Sequence, residues 1–167
     1  MKLRFSLILF LALGMAATEQ NMASGRSETQ PFSLTLNAPE TVGINGKLVV
    51  KVLLTNTSDK DLVVLQCGYT DYVVELEGIG TAKASETDLG TRLNHKMLGA
   101  VCMATRTVLK PDEGVNDEIQ IDKLYRMDSP GQYVIRVQRD VPSWMGSKGT
   151  IKSNSMTVTV ARQNTQP

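Results

Sequence analysis

The side chains best suited to chemistry in this chain are those that bind soft metal ions. They are Cys67, His95, Met97, Cys102 and Met103. Thiolate, imidazole and thioether groups together suit copper. Most such copper sites use at least two histidines, whereas His95 is the only histidine in the sequence. Core packing also explains the two methionines, which lie on or beside a predicted strand. We therefore predict no metal and no cofactor, with copper carriage as an alternative.

A catalytic centre has little support in the sequence. A serine or cysteine triad would have to use His95 as its sole general base. That histidine lies in a polar loop, and no G-x-S-x-G nucleophile signature lies near it. A solvated loop histidine explains the residue better. We predict that the protein is not an enzyme.

The segment with the best claim to a binding role is the loop at 141–149, which contains the only tryptophan. Trp144 stands beside Met145 among turn-forming residues. An exposed Trp144 would anchor a protein partner or stack on a sugar ring. A buried Trp144 would instead cover an open end of the core. Both alternatives stay open, and Trp144 and Met145 are the candidate partner-binding residues.

The beginning of the chain has the three-part pattern of a signal peptide, which we place at 1–17. Lys2 and Arg4 precede an apolar run, and cleavage is expected after Ala16 or Ala17. The run is shorter than the roughly 20 residues that cross a bilayer, which argues against the alternative of an uncleaved anchor. No cysteine directly follows the run to carry a lipid. We predict a secreted or periplasmic protein without stable membrane insertion.

The charge balance limits the class of partner. Cleavage would remove Lys2 and Arg4 from the 18 basic residues, which leaves the mature chain near neutrality beside 17 acidic residues. A near-neutral surface has no strong long-range attraction for nucleic acid or anionic lipid. We therefore predict that the partner is not a nucleic acid.

Both cysteines lie in the predicted mature chain, where an oxidising compartment would let them pair. A bond between Cys67 and Cys102 would close a long loop and stabilise the fold by roughly 3–4 kcal/mol. The alternatives are two buried free thiols or a redox pair, although a redox pair favours the close C-x-x-C spacing that is absent here. We predict a structural disulfide, which would remove both thiolates from the copper site.

Apolar residues alternate with polar residues along most of the chain, which is the pattern of half-buried β-strands. The alternation is clearest at 47–55, where Leu48, Val50, Val52 and Leu54 share one face. The other predicted strands are at 32–36, 62–67, 71–77, 100–109, 115–121, 132–138 and 155–160. We therefore predict an all-β domain.

The connections between the predicted strands are rich in turn-forming residues. Short polar turns at 56–60, 110–114 and 128–131 suit antiparallel pairing. A parallel sheet would need a long amphipathic helix after each strand, and the sequence shows none. The polar stretch at 78–96 is predicted to be a long loop with one short helical turn near 82–87.

The second half of the domain resembles the closing strands of bacterial immunoglobulin-like or fibronectin-III-like modules. The resemblance rests on Ser129-Pro-Gly-Gln-Tyr-Val-Ile-Arg-Val and on Ser153-Asn-Ser-Met-Thr-Val-Thr-Val. It implies one immunoglobulin-like antiparallel β-sandwich of about seven or eight strands at 31–161. We predict a disordered lead-in at 18–30 and a flexible tail at 162–167. These motifs mark sandwich geometry and carry no activity.

Tyr133 has a structural role in this arrangement. Its ring would pack inward, and its hydroxyl would bond back to the main chain near the preceding corner. The antibody pattern itself is incomplete, because no cysteine stands two residues after Tyr133 and no tryptophan lies in the third strand.

Together these features predict a non-catalytic exported module that binds a protein or cell-surface partner through its loops or a sheet edge. A carbohydrate-binding or copper-carrying module is the alternative. Asn56-Thr-Ser is formally an acceptor for N-glycosylation. The sequence leaves the identity of the partner and the oligomeric state open.

Overall fold

The computed structural model describes residues 30–96, 103–145 and 148–162, without the side chain of Trp144. Within these ranges the chain forms twelve strands, two short α-helices and two 3-10 turns. The strands are β1 (Phe32–Asn37), β2 (Thr41–Gly43), β3 (Val49–Asn56), β4 (Leu62–Gln66), β5 (Tyr72–Gly78), β6 (Ser85–Glu86), β7 (Thr105–Leu109), β8 (Gly114–Gln120), β9 (Tyr125–Arg126), β10 (Gly131–Val141), β11 (Gly149–Lys152) and β12 (Met156–Ala161). The helices are α1 (Asp88–Asn94) and α2 (Ile121–Leu124), and the 3-10 turns cover Gly68–Asp71 and Ser143–Met145.

Three predicted segments fall on parts of the chain that the structure leaves undescribed. The signal peptide at 1–17, the lead-in apart from Gln30 and the tail from 163 onward lie outside the described residues. Of the helices that the structure does describe, none is long and apolar enough to cross a membrane.

The predominance of strands confirms the prediction of an all-β protein. Each of the eight predicted strands is present, and the one predicted at 100–109 begins at Thr105 within the described residues. Period-two burial explains them: along β3, Val50, Val52 and Leu54 are buried while Lys51 is exposed. β2, β6, β9 and β11 were not predicted, because two to four residues are too few for an alternating pattern.

The strands form two larger sheets. In the first, β3 lies between β1 and β8, and both pairings are antiparallel. In the second, β10 pairs with β5 along one edge and with β12 and β11 along the other, and β2 joins β12 in parallel. The second sheet is curled into a half-barrel. The remaining pairs are β4 with β7 and β6 with β9.

One hydrophobic core draws side chains from both larger sheets. Val52 and Ile119 come from the three-stranded sheet, and Tyr133, Ile135 and Val158 come from the five-stranded sheet, all of them fully buried. Burial of apolar surface between the sheets is the main source of stability for such a fold.

The helical segment lies later than predicted. The helical turn predicted near 82–87 was wrong in position, since α1 covers Asp88–Asn94. Thr87 caps this helix, because its hydroxyl accepts a hydrogen bond from the Gly90 N–H at 3.1 Å. Gly90 is required by close packing on α2: a Cβ at this position would lie 2.1 Å from the Leu124 carbonyl oxygen.

Candidate functional site

The residues of the hypothetical copper site do not form a cluster within the described parts of the chain. The His95 imidazole lies 3.6 Å from the Glu86 carboxylate, and Met103 is fully exposed. Met97 and Cys102 lie outside the described residues. Among the residues that are described, no group of three or more His, Cys, Asp and Glu side chains is placed to hold a metal ion.

The predicted disulfide stays a prediction, because Cys102 lies outside the described residues. Cys67 immediately precedes the 3-10 turn at Gly68–Asp71, and its N–H donates to Oδ2 of Asp71 at 2.8 Å. This hydrogen bond joins the residue before the turn to Asp71, the last residue of the turn.

The predicted partner-binding loop is described only in part. Met145 is buried, at 2% exposure, so its side chain packs into the core. The side chain of Trp144 lies outside the described residues, and its role as an anchor or a lid stays a prediction. Of the two candidate partner-binding residues, Met145 is therefore not exposed to a partner, and Trp144 stays a candidate.

The predicted role of Tyr133 is confirmed. Its side chain is fully buried, and its hydroxyl donates to the Ser129 carbonyl oxygen at 2.7 Å. The Tyr133 hydroxyl oxygen also lies 3.2 Å from the Lys83 carbonyl oxygen. The hydroxyl thus ties the start of β10 to the corner that precedes it.

Asn56 has a structural role that conflicts with its use as a glycosylation site. The residue is fully buried, and its Nδ2 donates to the carbonyl oxygens of Lys60 at 2.7 Å and Leu109 at 3.0 Å. Its Oδ1 accepts from the Ser58 hydroxyl at 2.7 Å. A glycan on Nδ2 would replace one of the two N–H groups that make these bonds and would need space in a fully buried site, so the folded chain does not offer this site.

A buried ionic cluster centred on Arg139 was not predicted. The guanidinium is 4% exposed and donates to the Leu65 carbonyl oxygen at 2.6 Å and to the Tyr72 hydroxyl at 3.2 Å. It also lies 3.3 Å from Oδ2 of Asp71. The Tyr72 hydroxyl in turn donates to Oδ2 of Asp117 at 2.6 Å. The cluster therefore links β4, β5, β8 and β10.

Burial controls the proton affinities in this cluster. Burial raises the pKa of Asp71, although the hydrogen bond from Cys67 and the charge of Arg139 act in the opposite direction. Burial, followed by the hydrogen bond to Asp117, raises the pKa of Tyr72, so its hydroxyl stays protonated and remains a donor. A cleft of about 370 Å³ borders the cluster, but Asp71 already neutralises the charge of Arg139 there.

Side chains block two strand edges that would otherwise be open. At β5, the main-chain groups of Val74 face away from β10. Its N–H donates to Oδ1 of Asn94 at 3.0 Å, and its carbonyl oxygen accepts from the Tyr125 hydroxyl at 2.6 Å. Burial raises the pKa of Tyr125 to about 12, which keeps this donor protonated. At β4, the Arg139 guanidinium donates a hydrogen bond to the Leu65 carbonyl oxygen. Such plugs prevent unwanted strand pairing.

Within the described ranges no side chain bonds to the outer edge of β8, although the 3-10 turn at Gly68–Asp71 packs close to this strand. Alternate residues of a strand direct their N–H and C=O groups to opposite edges. The Ile121 N–H donates to the Leu48 carbonyl oxygen at 2.8 Å, so the register of β3 with β8 turns the main-chain groups of Asn116 and Glu118 away from β3. Among the residues that the structure describes, none bonds to these outward groups.

An apolar pocket of about 200 Å³ adjoins the open edge of β8. Its apolar wall is formed by Tyr69, Leu89, Ile119 and Leu124, and Glu118 and Lys123 also line it. Tyr69 is 47% exposed, so this part of the pocket wall is accessible to solvent. The pocket is large enough for one branched aliphatic side chain. We call the outer edge of β8 together with this pocket the β8 groove.

β7 has a second open edge. Because the Leu65 carbonyl oxygen faces Arg139, the β4–β7 register turns the main-chain groups of Arg106 and Val108 away from β4. Within the described ranges no main-chain group bonds to them. Val108 is 47% exposed. This edge serves below as a comparison.

Comparisons with known proteins give no family for this chain. No family model matches the sequence, and no curated protein matches it. One similar solved structure is the FixG-related protein from Vibrio parahaemolyticus, with 8% sequence identity and a TM-score of 0.37. The match covers 79% of this chain and 98% of that chain. A TM-score this low supports no argument about fold or function.

Proposed function

We propose that this protein is a non-catalytic, exported module of immunoglobulin-like type that binds an extended segment of a protein partner in the β8 groove. The observation that carries the proposal is the row of outward main-chain groups at Asn116 and Glu118 beside an apolar pocket. Export is supported by the signal-peptide pattern at 1–17.

The strand order supports the immunoglobulin-like part of the proposal. The sheet β1-β3-β8 corresponds to strands A, B and E of that fold, and β5-β10-β12 corresponds to strands C, F and G. The hydrogen bond from Tyr133 to the Ser129 carbonyl oxygen matches the tyrosine corner near the start of strand F.

Binding in the β8 groove would follow the physics of strand addition. The partner segment would pair with the outward N–H and C=O groups of Asn116 and Glu118, which gives affinity independent of the partner's side chains. One apolar side chain of the segment would enter the pocket beside Tyr69, which gives specificity. Neither contribution requires a catalytic group.

Proline substitution at the open edge tests this proposal. Glu118→Pro removes an outward N–H without removing a bond to β3, and proline is tolerated where the N–H of an edge strand faces solvent. Val108→Pro makes the matched change on β7. The mature wild-type chain is used to capture protein partners from extracts of the exporting cell. We expect these partners to be lost with Glu118→Pro and kept with Val108→Pro.

The competing outcomes are distinct. Full retention of the same partners by a folded Glu118→Pro variant would overturn the β8 groove as the binding site. Equal loss with both proline variants would also overturn it, because the effect would then not belong to β8. Thermal unfolding of each variant establishes that the chain under test is folded.

A further inference from the structure

The geometry of β8 fixes which face of a bound segment meets which part of the groove. Side chains alternate across a strand, and residues opposite one another point to the same face. Ile119 is fully buried on the core face of β8 and Glu118 is exposed on the opposite face, and both residues line the pocket. A partner residue opposite Ile119 therefore directs its side chain towards the pocket, and its neighbour opposite Glu118 lies on the solvent face.

The charge along this edge is strongly one-sided. Of the seven charged residues between Lys110 and Lys123, five are acidic. They are Asp112, Glu113, Asp117, Glu118 and Asp122. Asp117 accepts the Tyr72 hydroxyl, and Asp122 accepts the Leu48 N–H at 3.0 Å. Asp112 and Glu118 are exposed and form no ion pair with any described residue.

Two lysines lie near Glu118, and neither forms an ion pair with it in the described structure. Lys51 is its cross-strand neighbour on β3, yet the two side chains form no ion pair in the described structure. Lys123 lies on α2, beyond the Gln120 end of β8, where it lines the pocket together with Glu118, whereas Asp112 lies beyond the Gly114 end. The acidic part of the groove thus extends from Glu118 towards the Gly114 end.

We infer that the occupant of the β8 groove is a basic extended segment of a protein partner, in which an apolar residue opposite Ile119 alternates with Lys or Arg opposite Glu118 and towards Asp112. This inference rests on the proposed function and adds the chemical class of the partner. Complementary charge of this kind sets partner choice and association rate more than affinity.

Two synthetic peptides of equal length test the inference, one alternating Leu with Lys and the other alternating Leu with Glu. Each is titrated into the isotopically labelled mature chain while the main-chain amide signals are followed. We expect the Lys peptide to shift the signals of Asn116 and Glu118 and the Glu peptide to leave them unchanged. Glu118→Lys should weaken binding of the Lys peptide by about five- to ten-fold.

Glu75→Lys is the matched control, because Glu75 is exposed on β5 and its substitution changes the net charge by the same amount as Glu118→Lys. Equal weakening by both variants would overturn the inference, since the attraction would then be non-local. Equal binding of both peptides at β8 would overturn the charge preference and leave the proposed function standing. Binding of neither peptide would overturn the inference. The proposed function is tested separately by the capture of natural partners with the proline variants.

Discussion

The Tyr72 hydroxyl lies 2.6 Å from Oδ2 of Asp117 and so joins the first residue of β5 to the middle of β8. The same hydroxyl accepts a hydrogen bond from Arg139 at 3.2 Å, and the guanidinium lies 5.3 Å from the centre of the Tyr72 ring. This contact couples the two larger sheets and fixes the inner side of the strand whose outer edge is open.

The first prediction concerns Tyr72→Phe. The variant keeps the ring but leaves Asp117 and Arg139 each short of one partner, so we expect the free energy of unfolding to fall by about 1–3 kcal/mol. Urea denaturation measures the change. Tyr69→Phe is the control, because Tyr69 is exposed and its hydroxyl forms no hydrogen bond with any described residue. A similar loss in both variants would contradict the role given to the Tyr72 hydroxyl.

A second prediction concerns Asn56. Asn56→Ala leaves the carbonyl oxygens of Lys60 and Leu109 without their donor and opens a small cavity, so we expect a loss of about 2–3 kcal/mol in the free energy of unfolding. Asn37→Ala removes the same side chain from an exposed strand end and should change the value little. An unaltered stability for Asn56→Ala would show that these bonds do not hold the turn after β3.

The third prediction is a pH dependence. Hydrogen bonding by Asn94 is the main reason that the pKa of Glu86 lies below its usual 4.5. A carboxyl group whose pKa is lowered in the folded state stabilises the fold at pH values above its unfolded-state pKa. This contribution is lost as the pH falls through the folded-state pKa. We expect Glu86→Gln to lose stability relative to wild type well above pH 4.5 and to approach wild type well below it. Denaturation at both pH values tests this, and a pH-independent difference would argue against it.

Alternation predicted most of the fold but not the ionic cluster, although the signal was present. Tyr133, Ile135, Val137 and Arg139 share the inward phase of β10, and the predicted strand ended one residue before the arginine. A charged residue in phase with an apolar face needs a buried partner. Asp117 is likewise in phase with Val115 and Ile119 on β8.

The helix and the open edge show two different limits of sequence analysis. Thr87 before Asp88 is a usable helix start signal, with Arg92 in the last turn, so α1 could have been placed correctly from caps. The open edge of β8 could not have been found in this way. Whether Asn116 and Glu118 face a neighbour depends on strand order, which period-two alternation does not encode.

Site-specific photo-crosslinking from Asn116 in the exporting cell tests the β8 groove most directly. A photoreactive residue at this exposed position on β8 would lie against any segment paired there, whereas the same residue at the exposed Asn37 of β1 would not. The proposed function predicts a covalent adduct with a protein partner from position 116 and none from position 37. The absence of an adduct from position 116, or equal adducts from both positions, would contradict it.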